Sequence, residues 1–74
     1  MNEKLMEIIN TIRDNKGMTA IKKIEPTHDL REDFEFDSFD LAELTVRCEA
    51  EFDIDIFEDS IVTTVEDVIK KLNG

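Results

Sequence analysis

The sequence predicts an all-α domain: a small three- to four-helix bundle with a long first loop. Apolar residues recur at helical spacing in three separate stretches, and cap residues bound those stretches. The only alternating stretch, Asp53-Ile54-Asp55-Ile56, has no second strand to pair with. At 74 residues the chain is one domain, 1–74, near the lower size limit for folding without staples.

The first helix is expected over residues 3–15, where Leu5, Ile8, Ile9 and Ile12 mark one buried face. Asn15-Lys16-Gly17 ends it, with Gly17 as a left-handed cap. Residues 18–36 have no clear period and contain the only proline, Pro26. Met18, Ile21, Ile24, Leu30 and Phe34 are expected to pin this segment to the helices, with room for a short helical turn inside it. A connection this long in a small domain is often functional. The second helix is expected from about Ser38 to Phe52, capped by Asp37 or Ser38, with Asp37 and Asp40 placing negative charge at its positive end. A loop then buries Ile54 and Ile56, and residues 57–60 suit one short turn. Thr63-Thr64-Val65-Glu66 has the form of a capping box with Thr63 as the cap. In the last helix Val65, Val68, Ile69 and Leu72 share a face, Lys70 and Lys71 suit its negative end, and Asn73-Gly74 stops it.

Composition narrows the function. Nineteen acids against nine bases give a net charge of −10. That opposes binding to nucleic acid or insertion into an anionic membrane and favours encounter with basic partners. A lone cysteine, Cys48, fits a reducing compartment, and no run is apolar enough for a signal peptide or a membrane span. The expectation is a cytoplasmic monomer.

The second helix carries two apolar faces. At about 100° per residue, Leu41, Leu44, Thr45, Cys48 and Phe52 form the core stripe. Phe39, Ala42, Val46 and Ala50 form another, nearly opposite, with Asp40, Glu43, Arg47 and Glu51 on one side and Glu49 at its other edge. A surface helix needs only one such stripe. A second one rimmed by acids reads as a docking face. The alternative is that the long loop covers Phe39 and leaves Val46 and the alanines as ordinary surface residues. The stripe begins beside Ser38, so a partner seated there also reaches the serine.

Ser38 lacks the surroundings of a nucleophile. The only histidine, His28, lies in the irregular segment and reads as a solvated loop residue, and no glycine accompanies the serine. Cys48 and His28 lack metal-ligand spacing, and Cys48 falls on the core stripe. Asp53, Asp55, Glu58 and Asp59 lack the glycine and the third-ligand spacing of a calcium loop. Two readings of Asp37-Ser38-Phe39-Asp40 stay evenly matched on local chemistry. One is a plain capping box. The other is a serine that receives a phosphate ester at a helix N-terminus, with the neighbouring acids opposing that charge unless a cation intervenes.

Asp37-Ser38-Phe39 is similar to the Asp-Ser-Leu triplet that opens the second helix of acyl carrier proteins. Glu43-Leu44, Glu49-Ala50-Glu51-Phe52-Asp53-Ile54-Asp55-Ile56 and Thr63-Thr64-Val65 resemble the continuation of that family. The resemblance covers roughly residues 30–72. It implies that Ser38 carries 4′-phosphopantetheine, transferred from coenzyme A by a holo-acyl-carrier-protein synthase that itself needs magnesium. It implies that acyl groups ride on the arm as thioesters, and that the protein catalyses nothing and holds no metal of its own. Asp37, Phe39, Asp40, Glu43, Val46 and Glu49 match positions the family uses to dock acyl-loading and acyl-processing enzymes with basic surfaces, and the second stripe adds Ala42. Phe39 stands where the family has leucine, Glu35 where many members have glycine, and Phe36 is bulkier than usual. The third-helix region is short. These departures widen the expected pathways from fatty-acid synthesis to polyketide, modified-lipid or aminoacyl and peptidyl carriers. An unmodified acidic docking adaptor is the alternative from a different class.

Overall fold

Three helices, α1 (Asn2–Asn15), α2 (Ser38–Phe52) and α3 (Val65–Asn73), build the molecule in the computed structural model, which describes residues 2–57 and 62–73. Among the described residues there is no strand, only an isolated antiparallel bridge between Asp29 and Thr64. Beyond Phe57, the turn expected over 57–60 lies outside the described residues, as does Gly74.

Leu5, Ile9 and Ile12 of α1 are fully buried and Ile8 nearly so, as their spacing predicts. Gly17, at φ 76°, closes the helix: its N–H donates to the Asp14 carbonyl (2.9 Å) and the Met18 N–H to that of Arg13 (2.9 Å). This double bond pattern satisfies carbonyls the helix cannot reach itself. The ends of α1 fix its direction relative to α2. Lys4 near its start pairs with Glu51 near the end of α2 (3.2 Å), and Lys16 just past its end pairs with Asp40 in the first turn of α2 (2.6 Å). The two helices are therefore antiparallel. Between them and α3 lies one core that includes Leu30, Phe34, Phe36, Leu44, Cys48, Ile56, Val65 and Val68. Each large apolar side chain buried there contributes roughly 1.5–3 kcal/mol.

Residues 18–36 carry no helix, yet polar side chains of α1 hold them. The Asn10 amide accepts from the Ile21 N–H (2.7 Å) and donates to the Ile21 carbonyl (2.9 Å), as a paired strand would. Arg13, only 7% exposed, donates through Nε to the Thr19 carbonyl (3.0 Å) and through Nη1 to the Phe34 carbonyl (2.8 Å). One tight turn forms at 29–33. The Asp29 carboxylate accepts from the N–H groups of Arg31 and Glu32, the Asp33 carboxylate accepts from the Asp29 N–H, and the Asp33 N–H returns to the Asp29 carbonyl. Its ends send Leu30 and Phe34 into the core and leave Arg31 outside. Glu35 follows at φ 60°, a left-handed conformation that costs a residue with a Cβ about 1–2 kcal/mol. The geometry persists because Phe34 and Phe36 are both anchored in the core and the Glu35 carbonyl accepts from Lys16 Nζ (2.8 Å).

The loop also builds the start of α3. The Val65 N–H donates to the His28 carbonyl (2.9 Å) and the Glu66 N–H to that of Pro26 (3.0 Å). The Asp67 N–H donates to Thr64 Oγ1 (3.2 Å), while the Asp67 carboxylate accepts from the Thr63 and Thr64 N–H groups. The capping box is thus Thr64 with Asp67, one residue later than the expected Thr63 with Glu66. Thr63 is unavailable because its carbonyl accepts from the Leu30 N–H (2.9 Å), which keeps its backbone in register with the loop. Two burial expectations also shift. Ile56 is fully buried and Ile54 only partly, and Phe36, which has no periodic neighbour to betray it, lies in the core.

Replacing Thr64 with alanine is expected to cost about 1 kcal/mol through loss of the cap. Thr63→Ala, whose hydroxyl bonds to no described residue, is expected to cost within about 0.5 kcal/mol. Urea denaturation of the two variants checks the register of the cap.

Candidate functional site

Asp37 is the N-cap of α2, in extended conformation, and its Oδ1 accepts from the Asp40 N–H (3.0 Å). Asp40 completes the box by accepting from the Asp37 N–H through Oδ2 (2.9 Å). The cap is therefore Asp37, and Ser38 is the first residue inside the helix. Ser38 is exposed, and its hydroxyl bonds to no described residue. Capping explains Asp37 and Asp40 and leaves Ser38 without a structural role.

Asp40 does not stand on the outer face where a docking residue is expected. It is 7% exposed and is held by Lys16 and by the Asp37 N–H. Burial opposes its ionisation, but the Lys16 hydrogen bond, the Asp37 N–H and the charge of Lys16 together outweigh that and keep the carboxyl below its ordinary pKa. Its side chain turns inward because the third helical position of a box must reach back to the cap.

The other expected docking residues do lie outside. Phe39 is 86% exposed and Val46 65%, and Asp37, Ala42 and Glu49 are exposed. Glu43 is half-buried and accepts from Arg47 Nε (2.7 Å). The loop does not fold over Phe39. Phe39 and Val46 are thus exposed large apolar side chains on a strongly charged domain.

Beside Ser38 runs a groove of about 500 Å³. Ser38, Leu41, Ala42, Thr45 and Val46 form one side at positions i, i+3, i+4, i+7 and i+8, and Arg31 and Phe57 form the other. A smaller hollow of about 170 Å³ continues from it past Leu30, Leu41, Phe57, Val62 and Thr63. Arg31 and Phe57 were not legible as site residues, since no period relates either of them to α2.

His28 corrects the expectation of a solvated loop residue. It is half-buried, its Nδ1 accepts from the Glu25 N–H (3.0 Å), and its ring meets Phe34 edge-on at 5.2 Å. The Cys48 thiol is fully buried, and burial pushes its pKa up to about 11, so it is not a thiolate near neutrality. Among the described residues no three His, Cys, Asp or Glu side chains are grouped as a metal ion needs.

A family model described as "phosphopantetheine attachment site" matches residues 7–72. No curated protein and no solved structure matches the chain.

The lowered pKa of Asp40 means that the folded state binds its proton less readily than the unfolded state. The stabilisation is complete above the unfolded value of about 3.9 and is lost as pH falls through the lower folded value. Asp40→Asn is expected to cost about 1–3 kcal/mol at pH 7. The gap to wild type should close on acidification below about pH 4. Denaturant melts at pH 7 and pH 3 check this, and a gap independent of pH would remove the charge as its cause.

Proposed function

We propose that this chain, which belongs to the phosphopantetheine attachment site family, bears its 4′-phosphopantetheine on Ser38 and presents acyl groups to biosynthetic enzymes. The cofactor is covalent, and when attached it supplies a terminal thiol that holds the cargo. The observation that carries the assignment is the position of Ser38: first residue of a capped helix, exposed, its hydroxyl free of described partners, opening on a groove. In the attachment step Ser38 Oγ forms the bond to the pantetheine-side phosphorus and gives up its proton, the phosphoanhydride of coenzyme A breaks, and adenosine 3′,5′-bisphosphate leaves. A holo-synthase with magnesium performs that step. The N-terminus of α2 favours the resulting anion.

The lining of the groove by Leu41, Ala42, Val46 and Phe57 favours an aliphatic acyl cargo over an aminoacyl one. Fatty-acid, polyketide or related lipid synthesis supplies such groups. We assign docking to Asp37, Phe39, Ala42, Glu43, Val46 and Glu49, on enzymes with basic surfaces, and leave Asp40 out. Among the described residues, His28 Nδ1 is engaged with the backbone and Cys48 is buried, which supports reading the chain as a carrier rather than a catalyst. We place it in the cytoplasm as a monomeric carrier. No helix among the described residues is long and apolar enough to cross a membrane.

Incubation with coenzyme A and a promiscuous holo-synthase is expected to add the mass of one phosphopantetheine to wild type and nothing to Ser38→Ala. Intact-protein mass spectrometry reads both, and a folded wild type that gains no mass would sink the assignment. Phe39→Ala and Val46→Ala are each expected to change folding stability by no more than about 0.5 kcal/mol, as exposed positions do. Both should reduce the rate at which partner enzymes use the carrier, measured as kcat/KM with the carrier as substrate. A stability loss of several kcal/mol would instead make the stripe part of the core.

A further inference from the structure

The groove beside Ser38 has a single charged residue in its walls, Arg31. The Arg31 side chain is exposed and forms no ion pair or hydrogen bond with any described residue. Of the other basic residues, Lys4, Lys16, Lys23, Arg47 and Lys70 each pair with a carboxylate, Arg13 is engaged with loop carbonyls, and neither Lys22 nor Lys71 lines the groove. The Arg31 backbone is nonetheless fixed, because its N–H donates to Asp29 Oδ1 (2.8 Å) inside the 29–33 turn. A held backbone thus carries an unengaged guanidinium into the groove that begins at Ser38.

The site needs such a cation. An ester on Ser38 places a phosphodiester anion next to Asp37 and two residues from Asp40. The charge of Asp40 is matched by Lys16, whose ammonium is already shared between Asp40 and the Glu35 carbonyl. No cation among the described residues pairs with Asp37, whose carboxylate accepts from the Asp40 N–H. Arg31 is the one remaining positive group lining the groove, and a guanidinium pairs with phosphate oxygens through two parallel hydrogen bonds.

We infer that Arg31 is a positioning residue for the attached arm: its guanidinium pairs with the phosphodiester on Ser38 and so directs the arm along Ala42, Thr45 and Val46 toward Phe57. This rests on Ser38 being the attachment site, and the two assignments fail in different ways. Arg31 is a specific feature of this chain's 29–33 turn, and its removal leaves the cap of α2 and the core untouched.

The full chain is prepared in apo and modified forms as wild type, Arg31→Ala and Arg31→Lys, with intact mass confirming complete modification of each. The Arg31 Nε–Hε resonance of wild type is expected to move on modification at low salt and to return toward its apo position as salt is raised. Modification is expected to raise the melting temperature of wild type, to raise that of Arg31→Lys less, and to leave Arg31→Ala unchanged. An Nε–Hε resonance that is the same in apo and modified wild type overturns the inference. So does an equal rise in melting temperature for wild type and Arg31→Ala. Absence of any mass gain on wild type overturns the Ser38 assignment, and this one with it.

Discussion

The Lys16–Asp40 contact is the constraint on which the rest of the site depends. One carboxylate closes the capping box of α2 and, at 2.6 Å, receives the lysine that follows α1. It therefore fixes the first turn of α2 and ties that turn to the neighbouring helix. Lys16 also holds the Glu35 carbonyl, the residue in left-handed conformation that turns the chain into the helix. Ser38 lies two residues before Asp40 and inherits its position from this arrangement, its hydroxyl bonding to no described residue. Placement by neighbours leaves the hydroxyl free for chemistry.

The long loop is a structural partner of both terminal helices. α3 has nine residues, fewer than an isolated helix needs in water. Loop carbonyls from Pro26 and His28 satisfy its first two amides, and Thr64 satisfies the third. The loop in turn is fixed by Asn10 and Arg13 of α1. A chain of 74 residues without a disulfide has little apolar area with which to hold an irregular segment. Bonds from the half-buried Asn10 and the buried Arg13 to backbone serve here instead, and among the described residues no buried polar side-chain atom is left without a partner.

Charge is divided between two faces of α2. Toward the core, Asp40 is neutralised and shielded. Outward, Asp37 and Glu49 remain exposed around Phe39 and Val46. An apolar centre with an acidic edge suits a carrier that must be met quickly by several enzymes and released again. The charges speed encounter, and the small apolar patch limits how tightly any one partner holds. The groove at Ser38 shares Ala42 and Val46 with that stripe and adds Leu41, Thr45, Phe57 and a single charged residue, Arg31.

The helices, their core faces and the second stripe of α2 were legible in the sequence, because each depends on residues three or four apart on one element. Ser38 was legible as a candidate for the same local reason, together with the resemblance its triplet carries. The irregular elements were not. That Asp37 is the cap, that Asp40 turns inward, and that Thr64 rather than Thr63 starts α3 depended on contacts with Lys16 and Leu30, far away in sequence. Phe36, Arg31 and Phe57 found their places through the 29–33 turn and the path of the loop, which no period encodes. The sequence by itself determined which helices form and which of their faces are apolar, since periodicity and caps are local. Only the tertiary structure decided which acid is exposed, which cation lines the groove and where the groove runs, since those follow from pairings between segments that the chain brings together only on folding.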